Sequence, residues 1–248
     1  RSDSDPFEQP AYLRRCHNIA KALEYALPWD RIDSILDLGC GSGAVGGHFA
    51  KNGLSVSFVD GRLEHIEELR QRGVAAIQHD VQTPLPLGCK ADLVLCCGLL
   101  YHSENPQQIL QNCAVVAPII AVETLVMDQS GLYCLSFQED TKRPDQSLDG
   151  GCSRFSPSWL ERALVRAGYG RIEDLSRRVD PVGPDGYHQG FVYDWECRDS
   201  GDSYRDNYGL RKLWVAYQDD FEIVDIRLCT SERFKTGSMR ILSRRKTT

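Results

Sequence analysis

The chain has 248 residues, 42% hydrophobic and 26% charged, which suits one α/β domain with a sizeable core and room for a modest cap. Its formal net charge of −6 speaks against a protein built to coat nucleic acid, so nucleic acid is not an expected partner. No run of about eighteen apolar residues occurs, so no membrane span is expected.

Ten cysteines are scattered through the sequence without a C-x-x-C pair. A disulfide framework is not expected in a chain this long, and no ligand cluster for zinc is visible, so the expectation is no metal. A reduced, cytoplasmic setting follows as the simpler expectation. The N-terminus is polar and lacks a signal-peptide apolar stretch. It also lacks a methionine, so a trimmed or excised chain is expected.

Residues 1–10 are polar and expected to fray. Residues 12–27 then place Leu13, Cys16, Ile19, Ala20, Leu23 and Leu27 on one face of a helix, which Pro28 ends. Residues 34–50 follow, and they organise the rest. Ile35, Leu36 and Leu38 read as a buried strand, Gly39, Gly41 and Gly43 as a tight turn, and Val45 and Phe49 as a helix. Glycines let the backbone approach a ligand with no Cβ in the way. A loop running into a helix N-terminus presents free N–H groups to a carboxylate or phosphate. Gly41 to Gly46 formally matches the dinucleotide fingerprint G-x-G-x-x-G, but Asp37 and Gly39 precede it, so the register differs. The better description is Asp-x-Gly-x-Gly-x-Gly, with an acid at the strand end.

Asp37 to Gly43 resembles motif I of the class I S-adenosylmethionine-dependent methyltransferases. The resemblance covers residues 30–127 with good motif specificity and 154–217 more loosely. It implies a Rossmann-like α/β sandwich with a mostly parallel seven-stranded sheet, an antiparallel last strand, and cap insertions. Helices ahead of motif I pack over the cofactor mouth in this family, which makes Tyr12 and Arg14 candidates for contact. Residues 55–60 form an alternating strand ending in Asp60, at the spacing where ribose-binding acids lie in both Rossmann-like classes. A carboxylate there accepts hydrogen bonds from both ribose hydroxyls. A helix with Leu63, Ile66 and Leu69 comes next, and Gly73 closes it. Residues 74–80 make a third strand ending in Asp80. The resemblance gives Asp80 the adenine amino group, and the Val81 N–H a ring nitrogen.

Residues 91–97 are a continuous apolar run, as expected of a central parallel strand. Gly98-Leu-Leu-Tyr-His102 resembles the end of strand four in many family members. Ligands of open α/β sheets bind outside the carboxyl ends of strands, so Gly98, Tyr101 and His102 should face the site. His102 has the side chain for a general base near neutral pH, or else it orients the loop. Pro106 starts a helix with Ile109, Leu110, Cys113, Val115 and Val116. Strand five, 118–127, carries Glu123 inside an apolar run, where an unpaired carboxylate is costly. Glu123 is therefore a catalytic candidate or a partner for a cation.

Residues 128–153 are polar, glycine-rich and aperiodic, and a connection of that length reads as a lid or binding loop. It contains Tyr133, and Arg154 follows it; both are candidates for substrate contact. Ser156 as N-cap, Pro157 at the first helical position and Gly168 at the end define a helix, with a sixth strand over 171–175. That helix resembles the last helix of small-molecule methyltransferases and of transferases that modify the tRNA wobble uridine. Residues 177–210 form a second insertion. Its His188 is a second choice of base, and Tyr193 and Trp195 supply an aromatic wall able to hold a planar substrate or favour a sulfonium. Residues 211–217 are the last strand of the sheet, 221–241 suggest an edge hairpin, and Arg244 to Lys246 read as a solvated tail.

The expected organisation is a single domain over 1–248, with an N-terminal helical region over 1–30 and caps over 128–153 and 177–210. The function implied by the resemblance is methyl transfer from S-adenosylmethionine to a small-molecule acceptor at oxygen or nitrogen. His102, His188 and Glu123 are the catalytic candidates. Three alternatives stay open: a tRNA-modifying transferase of the same cofactor class, a nicotinamide oxidoreductase, and a non-catalytic module that binds the cofactor. The first of these requires Arg154, Arg162, Arg166, Arg177 and Arg178 to share one basic face. The oligomeric state is not legible in the sequence.

Overall fold

A computed structural model describes residues 5–175 except 87 and 128, residues 211–218, and the backbone of 221–231 and 236–245. Helix α1 (Pro10–Ala26) leads into strand β1 (Ser34–Leu38), α2 (Ala44–Lys51), β2 (Ser55–Asp60), α3 (Leu63–Gln71) and β3 (Ala76–Gln78). Then come β4 (Leu93–Cys97), α4 (Pro106–Val116), β5 (Ile119–Leu125), the pair β6 (Cys134–Gln138) and β7 (Gly151–Phe155), α5 (Pro157–Ala167) and β8 (Arg171–Asp174). Strand β9 (Arg211–Tyr217) precedes β10 (Phe221–Ser231) and β11 (Thr236–Arg245).

The main sheet has seven strands in the order β3-β2-β1-β4-β5-β9-β8. Strands β1 to β5 pair in parallel, and β9 runs antiparallel between β5 and β8. This is the architecture the motif resemblance implies. The order reverses between β1 and β4, and the crevice outside their carboxyl ends is where an open sheet of this kind takes ligands.

Alternation along each strand feeds two cores. Leu93, Leu95, Ile119 and Ala121 face α1 and α2, packing with Ile19, Leu23 and Phe49. Val94, Cys96, Ile120 and Val122 face α4 and α5, packing with Ile109, Leu110, Leu160 and Leu164. Burial on both faces explains why β4 and β5 read as unbroken apolar runs. Trp29 stacks on Phe49 at 4.9 Å, and its indole N–H donates to the Leu23 and Glu24 carbonyls, clamping the exit of α1. Helix α5 starts where Ser156 accepts the Trp159 N–H at 3.3 Å and ends at Gly168, φ 109°, as its sequence predicts.

Four sequence expectations are corrected. Residues 6–8 form a short 3₁₀ turn, capped by the Asp5 carboxylate on the Phe7 N–H, in place of a frayed end. The stretch 128–153, read as aperiodic, contains the antiparallel pair β6–β7, in which Cys134 sits opposite Phe155 and Gln138 opposite Gly151. The β6 side chains are exposed, so no buried stripe announced the strand. Leu13 and Val115, assigned to buried helix faces, are 48% and 72% exposed. Strands β10 and β11 pair only with each other among the described strands, and Arg244 and Arg245 lie within β11.

Candidate active site

The glycine turn after β1 takes its shape from left-handed backbone at Gly39, Gly41 and Gly43. A Cβ on Gly39 would approach the Leu99 side chain to 2.7 Å, and one on Gly41 would meet the Phe7 ring at 2.9 Å. Asp37 stands behind this turn, 3% exposed, its Oδ2 accepting the Gly46 N–H at 3.0 Å. Burial, aided by the charge of Asp60, pushes the Asp37 carboxyl up to about 7, against the pull of the Gly46 bond. Asp37 fastens the loop to α2 and does not line the cavity; Gly43 also lies outside the lining.

Asp60 ends β2 with both oxygens already oriented. Its Oδ2 accepts the Gly41 N–H and its Oδ1 the Arg62 N–H, each at 2.9 Å. Burial works to raise this carboxyl, but His65 and the two N–H groups outweigh it and hold it below its ordinary value. Each oxygen retains a lone pair for a ligand hydroxyl. His65 Nδ1 is 3.2 Å from Asp60 Oδ1, yet neither ring nitrogen makes an aligned hydrogen bond, so the contact is electrostatic. The exposed Asp80 follows β3, its Oδ1 accepting the Gln82 N–H at 3.0 Å, with Val81 beside it.

These groups open onto a cavity of about 570 Å³, within the range of small-molecule and cofactor sites. Gly39, Gly41, Asp60, Asp80, Val81 and Gly98 all line it. Over its mouth lies the β6–β7 loop, which contributes Glu139 and residues 144–149. Arg62 Nη2 donates to the Thr141, Gln146 and Ser147 carbonyls at 3.1 to 3.3 Å, and the Gln82 amide donates to Asp149. The loop is thereby tied to both strand ends that carry Asp60 and Asp80.

Beyond β4 the backbone turns at Gly98, φ 80°, into the 3₁₀ turn Leu100–His102. His102 Nδ1 contacts Glu139 Oε2 at 2.5 Å, which leaves Nε2 without a hydrogen bond to any described residue. Glu139 also accepts the Ser147 N–H and a guanidinium N–H of Arg154. Burial favours neutral His102, but Tyr101 and Glu139 prevail and raise its pKa. Burial likewise opposes the Glu139 charge, but His102, Ser147 and Arg154 bring that carboxyl down to about 2. Tyr101 is 6% exposed and its hydroxyl accepts an Arg211 N–H at 2.8 Å.

Of the catalytic and substrate candidates, the structure brings Tyr101, His102 and Arg154 to the cavity. Glu123 is fully buried beneath it, its two oxygens accepting from Arg211 Nη1 at 3.2 Å. Tyr133 is 48% exposed and away from the lining. His188, Tyr193 and Trp195 lie outside the described residues, as do Arg177 and Arg178. Arg162 and Arg166 are exposed on α5, whereas Arg154 turns inward to the Tyr101 carbonyl and Glu139, so these three do not form one basic face. On α1 the residue that enters the cavity with Tyr12 is Arg15; Arg14 is exposed. Phe7, Arg15, Arg62 and Glu139 were not singled out from sequence. Only Arg15 carried a signal, since it shares a helical face with Tyr12 and Ile19.

Fold and site together define a Rossmann-like domain whose glycine turn, ribose-position acid and crevice suit a nucleoside-bearing cofactor. Residues 35–117 match the family model described as a methyltransferase domain. Ubiquinone biosynthesis O-methyltransferases of Coxiella burnetii are 29% identical over 89 residues, covering 33% of this chain and 38% of theirs. The chain therefore spans well under half the length of these curated relatives. The N-terminal domain of EvdMO1, solved with SAH bound, superposes with a TM-score of 0.55 at 22% identity, covering 85% of this chain and 82% of that one. A Burkholderia thailandensis 1,6-didemethyltoxoflavin-N1-methyltransferase gives 0.54 at 17% identity, covering 86% and 80%. Residues 35–117 are thus similar to a methyltransferase domain, and the chain shares the fold of both solved structures.

Proposed function

We propose that the chain transfers a methyl group from S-adenosylmethionine to a hydroxyl of a small-molecule acceptor, with His102 as the proton acceptor. The observation that carries the acceptor half is the His102–Glu139 pair facing the cavity at the end of β4. The cofactor half rests on the fit of the residues present. The side-chain-free cradle at Gly39 and Gly41, the oriented Asp60 carboxylate and the Asp80–Val81 turn would hold methionine, ribose and adenine in turn. Bound S-adenosylmethionine supplies an electrophilic methyl group on a sulfonium. The protein's work is alignment and exclusion of water, which the β6–β7 loop performs by closing over the cavity. Glu139 engages Nδ1 of the imidazole, and Nε2 is the nitrogen left to take a hydroxyl proton. The O-methyltransferase and N-methyltransferase names among the similar proteins support an acceptor of this size.

The test uses S-adenosylmethionine labelled on its methyl group and a panel of small hydroxyl and amine compounds. Label is expected in a hydroxyl compound, with kcat rising with pH up to the raised pKa of His102 and level above it, because the base acts only when neutral. Removing the Glu139 charge lowers that pKa, so Glu139→Gln should move the rising limb to lower pH. His102→Gln should lower the plateau by roughly 10² to 10⁴-fold. Transfer that ignores both substitutions, or transfer only to amines, would count against the reading.

A further inference from the structure

We infer that Arg62 is a positioning residue of the reaction, which fixes the proton of His102 through the loop between β6 and β7; this rests on the methyl-transfer reading. Arg62 precedes α3, two positions after the acid that ends β2. Its backbone N–H serves Asp60, which leaves the guanidinium to act elsewhere. That group reaches the carbonyl of Thr141 on the outgoing leg of the loop, and those of Gln146 and Ser147 on the returning leg. Gly61 leaves room for this approach, since a Cβ there would stand 3.0 Å from Leu148 Cδ2.

One peptide unit carries the effect onward. The Gln146 carbonyl accepts from Arg62 Nη2 at 3.1 Å, and across the same peptide bond the Ser147 N–H donates to Glu139 Oε2 at 2.9 Å. A guanidinium on the oxygen strengthens that N–H as a donor, because hydrogen bonds in a chain polarise one another. Oε2 is also the oxygen that meets His102 Nδ1, whereas Arg154 binds Oε1. The two oxygens of Glu139 thus have separate anchors, and the one facing the base depends on Arg62.

Glu139, whose carboxyl lies down at about 2, is ionised at neutral pH and only accepts hydrogen bonds. The 2.5 Å contact therefore places the proton of the neutral imidazole on Nδ1 and leaves the Nε2 lone pair open. A neutral histidine free in water prefers the opposite tautomer, with its proton on Nε2, where it cannot take one from a hydroxyl. Holding Oε2 in place holds the base in its working form.

Nitrogen NMR of isotope-labelled histidine reads the tautomer directly, with the His102 signals assigned by their loss in His102→Gln. At a pH where His102 is neutral, the wild-type protein should carry the proton on Nδ1. Arg62→Met and Glu139→Ala should each move most of it to Nε2, and the double variant should show no more than Glu139→Ala alone. Arg62→Lys, which still donates to a loop carbonyl, should retain part of the Nδ1 form. In the methyl-transfer assay Arg62→Met should lower kcat about tenfold, short of the roughly 10² to 10⁴-fold cost of losing a general base. Its S-adenosylhomocysteine affinity should stay within about threefold, because the N–H that serves Asp60 is backbone. A proton on Nε2 in the wild type, or one that stays on Nδ1 in folded Arg62→Met, overturns the inference. So does weakened S-adenosylhomocysteine binding with the tautomer unmoved, which would make Arg62 a cofactor ligand. A wild-type chain that shows the Nδ1 form yet transfers no methyl group would instead sink the methyl-transfer reading.

Discussion

Replacing Asp60 with alanine is expected to weaken S-adenosylhomocysteine binding a hundredfold or more. The carboxylate is 8% exposed, held below its ordinary pKa, and oriented by the Gly41 and Arg62 N–H groups. Those two bonds leave one acceptor direction per oxygen for the ribose hydroxyls. A hydrogen bond to a charged acceptor contributes about 1.5 to 3 kcal/mol, so losing two removes about 3 kcal/mol or more, which is over two decades in affinity. The Gly41 amide also loses its partner, which loosens the turn that must cradle the ligand. Asp60→Asn keeps one carbonyl oxygen and should fall between the two. Calorimetry beside a circular dichroism control checks both variants. An alanine variant that binds within fivefold of wild type would remove Asp60 from the cofactor site.

Glu123→Gln should destabilise the fold by about 3 to 5 kcal/mol, the range for breaking a buried ion pair. Glu123 is fully buried on β5 and Arg211 is 6% exposed at the start of β9, where the two strands pair antiparallel. A neutral amide keeps the shape of Glu123 but removes the negative charge that its two oxygens present to the guanidinium. The Arg211 bond to the Tyr101 hydroxyl cannot replace that charge. Because a buried pair replaced whole is often neutral, Glu123→Leu with Arg211→Met should recover most of the loss. Urea unfolding midpoints measure this. A Glu123→Gln loss under about 1 kcal/mol would show that solvent or another group shares the Arg211 charge.

Much of this architecture is legible because local signals and tertiary demands agree. The apolar runs of β1, β4 and β5, the capped α5 and the acids at the ends of β2 and β3 each follow from pattern and turn chemistry. The acceptor side is legible only in part, because its partners meet through long-range packing. Glu139 reaches His102 across 37 positions, through the register of an exposed hairpin with no apolar stripe. Arg211 reaches Tyr101 across 110. The choice between Arg14 and Arg15 was readable in principle: spacing from Tyr12 and Ile19 places Arg15 inward, and helical phase decides between adjacent residues. Phe7 was hidden for another reason. A polar, proline-bounded terminus carries no periodicity, yet the Asp5 cap turns it back so that the ring packs beside His65, over Gly41.

Calorimetric titration of the wild-type chain with S-adenosylmethionine and S-adenosylhomocysteine tests the central claim most directly. Saturable one-to-one binding of both, each displacing the other, is the predicted result. A natively folded chain that binds neither would contradict it, and the glycine turn between β1 and α2 would then require a different ligand.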